Sequence, residues 1–526
     1  MSDIEKGNPS LQLDDNDIKS TPIVTTTSQT NGEIIEFGKK IHLDTNKVDD
    51  AMELALRASK FEIDPKLDRK LSWKIDLMLV PFLSFLYAIQ YMDKVTNSFG
   101  AIMGLKSFYK MEGNMYSWCG SSFYLGYLFF VFFASYLVQR FPPAKTCGVF
   151  IIIWGVINTV NCTPKTYSGF IALRTLLGCF ESIVTPTMVI LTSQWWKKEE
   201  QFIRTCIWFS ATSFGTIFGY SIAYGVWIRQ DSYTLPAWKV VFVVIGVMTI
   251  TLGVMFVIYV PDSPAKAWFL SEDEKLHLVE RNRNNNQGFG TKIFKMYQLK
   301  ECLSDYRVWL IFIFGIVDEV PNGGITNFSS ILISDLGYDT KQSLLLNLPL
   351  GAVGFAGCNI MALFYGLGLV KHRIPISIAA MFIAIAGSSM LAFASSTTVQ
   401  LVGLYIMQVS PLGMIGCLTI YSSNIAGHTK KIVGNALYLV GYCAGNLIGP
   451  QTFKGSEAPT YQSGKTAVLV CYVLSTVILI ILYVSYWFDN KKRDEFVIKN
   501  GTDHFLDNQE FADLTDRENP QFRYTL

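Results

Sequence analysis

The chain has 526 residues, of which 50% are hydrophobic and only 16% charged. A soluble domain carries about 25% charged residues, so the composition argues against a soluble globular enzyme. The formal net charge of +2 says little by itself. Placement says more: charges crowd into the first ~75 residues, a stretch near 262–307 and the last ~35 residues, with long apolar tracts between. Such tracts must satisfy their own backbone hydrogen bonds in lipid, which selects helices.

Residues 1–70 are rich in Asp, Ser, Thr, Asn and Lys and read as a disordered cytoplasmic tail, with a candidate short amphipathic helix at Val48–Phe61. The N-terminus is polar and acidic with no apolar signal-peptide core, so the first span is expected to serve as the membrane signal. Apolar segments of roughly 17–25 residues follow, the length that spans a bilayer as a helix. The first six centre near Phe85, Leu128, Trp154, Gly178, Gly215 and Gly246, within 71–261. A charged central loop covers 262–305. The second six, within 306–489, centre near Ile316, Val353, Phe382, Met407, Val440 and Ile478, and a second tail covers 490–526. The expected fold is all-α: twelve transmembrane helices in two six-helix bundles, the layout of the major facilitator superfamily.

Orientation follows from the loops. Arg140 and Lys145, Lys197, Lys198 and Arg204, Lys371 and Arg373, Lys430 and Lys431, the basic central loop and Lys491-Lys492-Arg493 all fall on one side. The positive-inside rule makes that side, with both termini, cytoplasmic. The membrane is expected to be the plasma membrane, with an internal membrane as the alternative. The ten cysteines stand singly, without a CxxC or a Cys/His cluster, so neither a zinc site nor a disulfide framework is indicated. Asn161-Cys162-Thr163 is a glycosylation sequon close to the membrane at a predicted outer loop.

Ionisable groups at membrane depth are costly and are functional candidates by default. In the first span Asp93-Lys94 interrupts an apolar run, with Tyr87 and Gln90 preceding it as polar lining. Either the two charges neutralise each other, or Lys94 binds an anion while Asp93 carries a proton. The fourth span holds Arg174 and Glu181, two turns apart on nearly one helix face and about 10 Å along the axis. Arg stays protonated and presents a fork suited to carboxylates and phosphates, whereas a Glu in a dry cavity can serve as proton carrier. Gly178 and Cys179 between them allow close helix packing. In the seventh span Asp318-Glu319 precedes Pro321, Asn322, Gly323 and Gly324, which points to a helix break lining a cavity; a packing kink is the alternative. Asn322, Asn327 and, in the eleventh span, Tyr442 and Asn446 are further polar lining. All five histidines fall in tails or predicted loops, so proton coupling has to use carboxylates. The absence of a P-loop disfavours ATP-driven transport.

KIDLMLVPFLSFLYAIQYMDKVTNSFGAIMGL, LRTLLGCFESIVTPTMVILTSQWWKKEEQFIR and YVPDSPAKAWFLSEDEK resemble the fungal anion:cation symporters, the allantoate-permease-like branch of the major facilitators. NGGITNF and AGHTKK with GNLIGPQTF continue the resemblance over roughly residues 70–495. It implies proton-coupled uptake of a small organic anion: a carboxylate, vitamin, amino-acid derivative or sulfonate. Related organic-anion transporters in bacteria and animals carry an acid-base pair in the first span and an Arg and Glu seven apart in the fourth, the places held here by Asp93, Arg174 and Glu181. Lys94 stands where many of those transporters have Arg, although the fungal branch often has Lys there; the resemblance therefore implies an anion held by a point charge rather than a fork, or one of different shape. The chain is expected to be a monomeric, lipid-embedded transporter and not an enzyme, with no cofactor, no metal and no nucleic-acid partner. A drug:proton antiporter of the same fold is a competing reading, weakened by the absence of Pro from SATSFGTIFGYSIAYG in the fifth span. A non-transporting nutrient sensor is the other.

Overall fold

The computed structural model describes residues 24–25, 33–36, 39–42, 65–281, 295–367, 372–500, 515–519 and 522–526. The candidate helix at Val48–Phe61 lies outside them. In the N-terminal tail, three short strands, Val24–Thr25, Glu33–Glu36 and Lys39–His42, pair antiparallel in chain order.

The first half comprises the spans Pro65–Gly100, Met115–Arg140, Pro143–Val160, a fourth built from Tyr167–Glu181 and Val184–Trp195, then Lys198–Ile228 and Ala237–Tyr259. The second comprises Tyr306–Asp335, an eighth span from Thr340–Leu346 and Leu348–Gly366, Arg373–Phe393, a tenth from Thr397–Ile406 and Pro411–Asn424, His428–Ile448 and Gln462–Asn500. Eleven spans among the described residues are long and apolar enough to cross a membrane. The remaining one, the fifth, is a 31-residue helix whose apolar character is diluted by Ser210, Thr212, Ser213, Thr216 and Ser221.

Helix partners repeat with an offset of six. The first span packs on the fifth and the seventh on the eleventh; the third packs on the sixth and the ninth on the twelfth; the second pairs with the fourth and the eighth with the tenth. Each half has its own buried apolar cluster. The halves meet where the second span touches the eleventh, the fifth touches the eighth and the first touches the seventh. This is the arrangement of two parallel repeats around a central passage.

Two short amphipathic helices, Glu272–Arg281 and Met296–Ser304, cap the face that bears the termini. Each is tied to its own half. Arg281 bonds Asp68 of the first span at 2.6 Å and Glu200 of the fifth at 2.5 Å. Glu301 bonds Lys430 of the eleventh span at 2.9 Å. Lys430 is fully buried and also meets Asp305 at 3.1 Å and Asp516 of the C-terminal segment at 2.8 Å. That segment folds back on the second half: the Thr525 amide donates to Asn424 at 2.7 Å, and the Tyr524 hydroxyl donates to Asp516 at 2.9 Å.

The expected break in the seventh span is absent, because Tyr306–Asp335 is one continuous helix with Pro321 inside it. The small residues after Pro321 serve packing instead: a Cβ on Gly323 would lie 2.6 Å from the carbonyl oxygen of Asn446. The break occurs in the fourth span, directly after Glu181. Pro186 has no N–H to donate to the carbonyl of Ser182, one turn earlier, and the helix parts there. Asn161 of the sequon is fully buried with its side-chain amide inaccessible, so the folded protein does not present it for glycosylation.

Candidate functional site

The first and fourth spans are brought together at the centre of the first half, where Gly178 lets the fourth lie against the second: a Cβ there would collide with the Phe123 carbonyl. This places Asp93, Lys94, Arg174 and Glu181 in one cluster. Asp93-Lys94 do not merely neutralise each other. Arg174 Nη1 lies 3.7 Å from Asp93 Oδ1, and Lys94 Nζ lies 3.4 Å from Glu181 Oε1. Asp93, Arg174 and Glu181 are buried, whereas the Lys94 side chain retains 14% exposure. Phe123 presents its ring to both cations, at 5.8 Å from Lys94 and 5.7 Å from Arg174.

The two ion pairs are loose. Arg174 Nε and Nη1 lack a hydrogen-bond partner among the described residues, and the carboxylates of Asp93 and Glu181 meet their cations only at 3.7 and 3.4 Å. Buried polar groups are normally satisfied, so unsatisfied ones in a cluster mark a place with a use for them. The other Asp93 oxygen, Oδ2, accepts a 2.7 Å bond from Trp154 Nε1. One turn further along the third span, Asn158 is fully buried and its side-chain amide faces the same carboxylate. Trp154 and Asn158 were not singled out in the sequence. Their i, i+4 spacing on one face of an apolar span is the signal that was available.

The second half contributes a different set. Glu319 Oε2 accepts 2.8 Å bonds from both Asn322 Nδ2 and Asn446 Nδ2, and the Asn322 amide also donates to Asn446 Oδ1 at 3.0 Å. The Thr326 hydroxyl lies 3.4 Å from Asn322 Oδ1 and 3.5 Å from the Tyr91 hydroxyl of the first span. Asn322 and Asn446 therefore come together around a carboxylate whose role residue type and spacing left open. Asn327 stands further along the helix: its side-chain Nδ2 donates to the Gly323 carbonyl at 2.8 Å, and its backbone carbonyl accepts from the Tyr116 hydroxyl at 2.6 Å. A small cavity lined by Lys94, Phe123, Tyr124, Arg174, Thr326 and Asn327 joins the two halves. Gln90 sits beside Glu181, and the Tyr87 ring packs against Trp208 of the fifth span with centroids 4.4 Å apart and planes tilted by 48°. Asp318, the neighbour of Glu319, faces Ser475 and Cys471 of the twelfth span and Cys417 of the tenth.

On the side away from the termini, hydroxyls and amides close the passage. Ser98 Oγ donates to Ser330 Oγ at 2.9 Å, Tyr220 lies 3.0 Å from both Ser329 and Ser330, and Ser121 donates to the Leu447 carbonyl at 2.7 Å. These contacts link the halves without an ion pair, and bonds between neutral groups contribute only about 0.5–1.5 kcal/mol each, so they can be exchanged singly as the halves move.

Residues 83–450 match the Major Facilitator Superfamily model. The chain is 43% identical to the allantoate permease of Saccharomyces cerevisiae, over 98% of this chain and 96% of that protein. It is 46% identical to an uncharacterized transporter of Schizosaccharomyces pombe over 91% of this chain and 94% of the relative. A thiamine pathway transporter of S. cerevisiae matches at 32% identity over 88% and 87% of the two chains. Among solved structures, the proton:xylose symporter XylE bound to a bromo-deoxyglucose aligns with a TM-score of 0.60 at 12% identity, covering 79% of this chain and 96% of that one. That likeness concerns the fold alone. The repeated six-helix halves, the full-length match to named transporters and the family model lead to one conclusion: the chain is a multi-pass membrane transporter of the major facilitator superfamily, within its fungal allantoate-permease-like family, and not an enzyme.

Proposed function

We propose that the protein is a proton-coupled symporter that imports a small organic anion across the plasma membrane, with both termini in the cytoplasm. The observation that carries this reading is the pair of buried, loosely held ion pairs, Arg174–Asp93 and Lys94–Glu181. Each cation is occupied by a carboxylate that can be neutralised by a proton. Protonating Glu181 releases Lys94, and protonating Asp93 releases Arg174, whose fork then accepts a carboxylate or sulfonate. Proton and anion thus enter together, because a freed cation at this depth is costly until the anion arrives. Tyr87, Gln90, Asn322, Asn327 and Asn446 line the remainder of the site and orient the substrate. The 43% identity to an allantoate permease makes a ureido carboxylate such as allantoate the first substrate to try.

Full-length protein reconstituted into vesicles is expected to accumulate labelled allantoate, or another small carboxylate from a panel, only under an inward proton gradient. Arg174→Ala is expected to abolish that uptake at near-normal abundance in the membrane. Uptake indifferent to the gradient, or retained by Arg174→Ala, refutes the reading.

A further inference from the structure

The charges around the passage do not balance once the second half is included. Asp93, Lys94, Arg174 and Glu181 cancel pairwise. Glu319 adds a carboxylate with amide partners, Asn322 and Asn446, and no ion pair among the described residues. It is 2% exposed, and its partner Asn322 bonds Thr326, which lines one cavity with Lys94 of the opposite half. The other groups facing it cannot compensate its charge: Tyr91 from the first span, Tyr124 from the second, Tyr438, Tyr442 and Cys443 from the eleventh, Tyr472 from the twelfth and Asp318 beside it. An anion approaching Lys94 therefore meets a site that already holds an excess of negative charge.

Resting on the symport reading above, we infer that Glu319 is a proton-accepting residue of the second half, which competes with the substrate anion for Lys94. Lys94, 3.4 Å from Glu181 of its own half, faces the second half across the cavity that Thr326 also lines. With Glu319 ionised, the attraction holds the halves across the passage and opposes the anion. A proton on Glu319 removes both effects, and the anion takes the place of the carboxylate at Lys94. Asn322 and Asn446 are suited to this exchange. A side-chain amide can turn its N–H toward a carboxylate or its carbonyl toward a carboxylic O–H, so the carboxyl keeps a partner in either state. Asp318 does not share this role, because it faces the tenth and twelfth spans rather than Lys94.

The test uses purified full-length protein and the variants Glu319→Gln and Glu319→Asp, checked for monodispersity. In proteoliposomes with labelled allantoate as probe and a pH dye inside, wild type is expected to concentrate the probe under an inward proton gradient. Glu319→Gln is expected to lose at least about ten-fold of that accumulation and its accompanying proton movement, while counterflow of the probe continues; Glu319→Asp is expected to recover part of the coupling. A Glu319→Gln variant that still concentrates the probe like wild type with protons overturns the inference, as does loss of counterflow in both variants. A second measurement is independent of substrate: an infrared pH titration in which the protonated-carboxyl stretch of Glu319 disappears in Glu319→Gln and is perturbed by Lys94→Ala. If wild type carries none of the carboxylate panel, the symport reading fails, yet this titration still decides whether Glu319 takes a proton under the control of Lys94. A spectrum unchanged by Glu319→Gln overturns the inference.

Discussion

In the first half, four charged side chains from two spans meet in pairs, with Trp154 and Phe123 fixing their geometry. In the second half, the corresponding space holds a carboxylate with two asparagine amides and no ion pair among the described residues. The helix pairing repeats in both halves, so the charge difference at this site lies in its side chains. Two repeats that began alike need not remain chemically alike: one can hold the anion's cations while the other supplies an acid and neutral hydrogen-bonding groups. The faces that bear the termini differ in the same way. The first half is tied by Arg281 to Asp68 and Glu200, and the second by the buried Lys430, which draws three carboxylates from three segments of the chain.

The comparison is broken most severely by removing the one cation that both halves share. Lys94→Ala leaves Glu181 buried and unpaired and takes away the cation that faces the second half across the shared cavity. Breaking a buried pair from one side costs about 3–5 kcal/mol. Uptake of labelled allantoate is expected to fall by about 100-fold or more, a loss that about 2.7 kcal/mol already produces. Lys94→Arg is expected to retain more, since the charge survives.

Removing one neutral group from the second half should do less. Asn446→Ala deletes one of two donors to Glu319, and a hydrogen bond to a charged group contributes about 1.5–3 kcal/mol. An approximately ten-fold rise in the half-saturating concentration is expected in the same uptake assay, with transport still measurable. Equal losses for Asn446→Ala and Lys94→Ala would erase the distinction between a charged half and a polar half.

Much of the site could be read from residue type and spacing. Asp93, Lys94, Arg174 and Glu181 interrupt apolar runs, and a charge at bilayer depth is informative wherever it stands. Which acid meets which base was not legible: adjacency suggested Asp93 with Lys94, but the third dimension crosses the partners through the fourth span. Glu319 was visible as a buried acid, yet its setting depends on Asn446, 127 residues away, and no local pattern announces such a contact. The seventh-span break failed for a related reason. Pro and Gly signal lost hydrogen bonds and close approach equally well, and only the eleventh span packed against Gly323 decides for packing. Pro186 carried the same ambiguity in the fourth span and resolved the other way. The docking of residues 515–519 and 522–526 had no signal in a polar tail, because ion pairs with Lys430 leave no periodicity to read.

A smaller effect separates the third span's support from the charges themselves. Trp154→Phe keeps the ring's packing and removes the indole donor to Asp93 Oδ2. Asp93 keeps Arg174 at 3.7 Å and the Asn158 amide, but its ionised form loses a bond of about 1.5–3 kcal/mol, which makes it easier to protonate than in the wild type. The pH profile of uptake is expected to shift toward higher pH, with maximal rate reduced by about three-fold or less, read as initial rates of labelled allantoate entry over a series of external pH values. An unshifted profile would mean that Asp93 is ionised or neutral for reasons outside this bond and does not titrate during transport.

The smallest effect on transport is expected at the C-terminal strap. Asp516→Ala removes one of three carboxylates from Lys430, while Glu301 and Asp305 remain at 2.9 and 3.1 Å. The buried ammonium stays paired, so the cost is that of a single charged bond, about 1.5–3 kcal/mol, rather than that of an orphaned ion. The Tyr524 hydroxyl loses its acceptor in the same variant, which loosens the segment that also holds Asn424. Thermal unfolding of the purified protein should therefore begin at lower temperature, while initial uptake rates at permissive temperature stay within about two-fold of wild type. If uptake fell as far as in Lys94→Ala, the strap would have to act on the passage itself, and the division between a framework shared by both halves and a charge site specific to one would no longer hold.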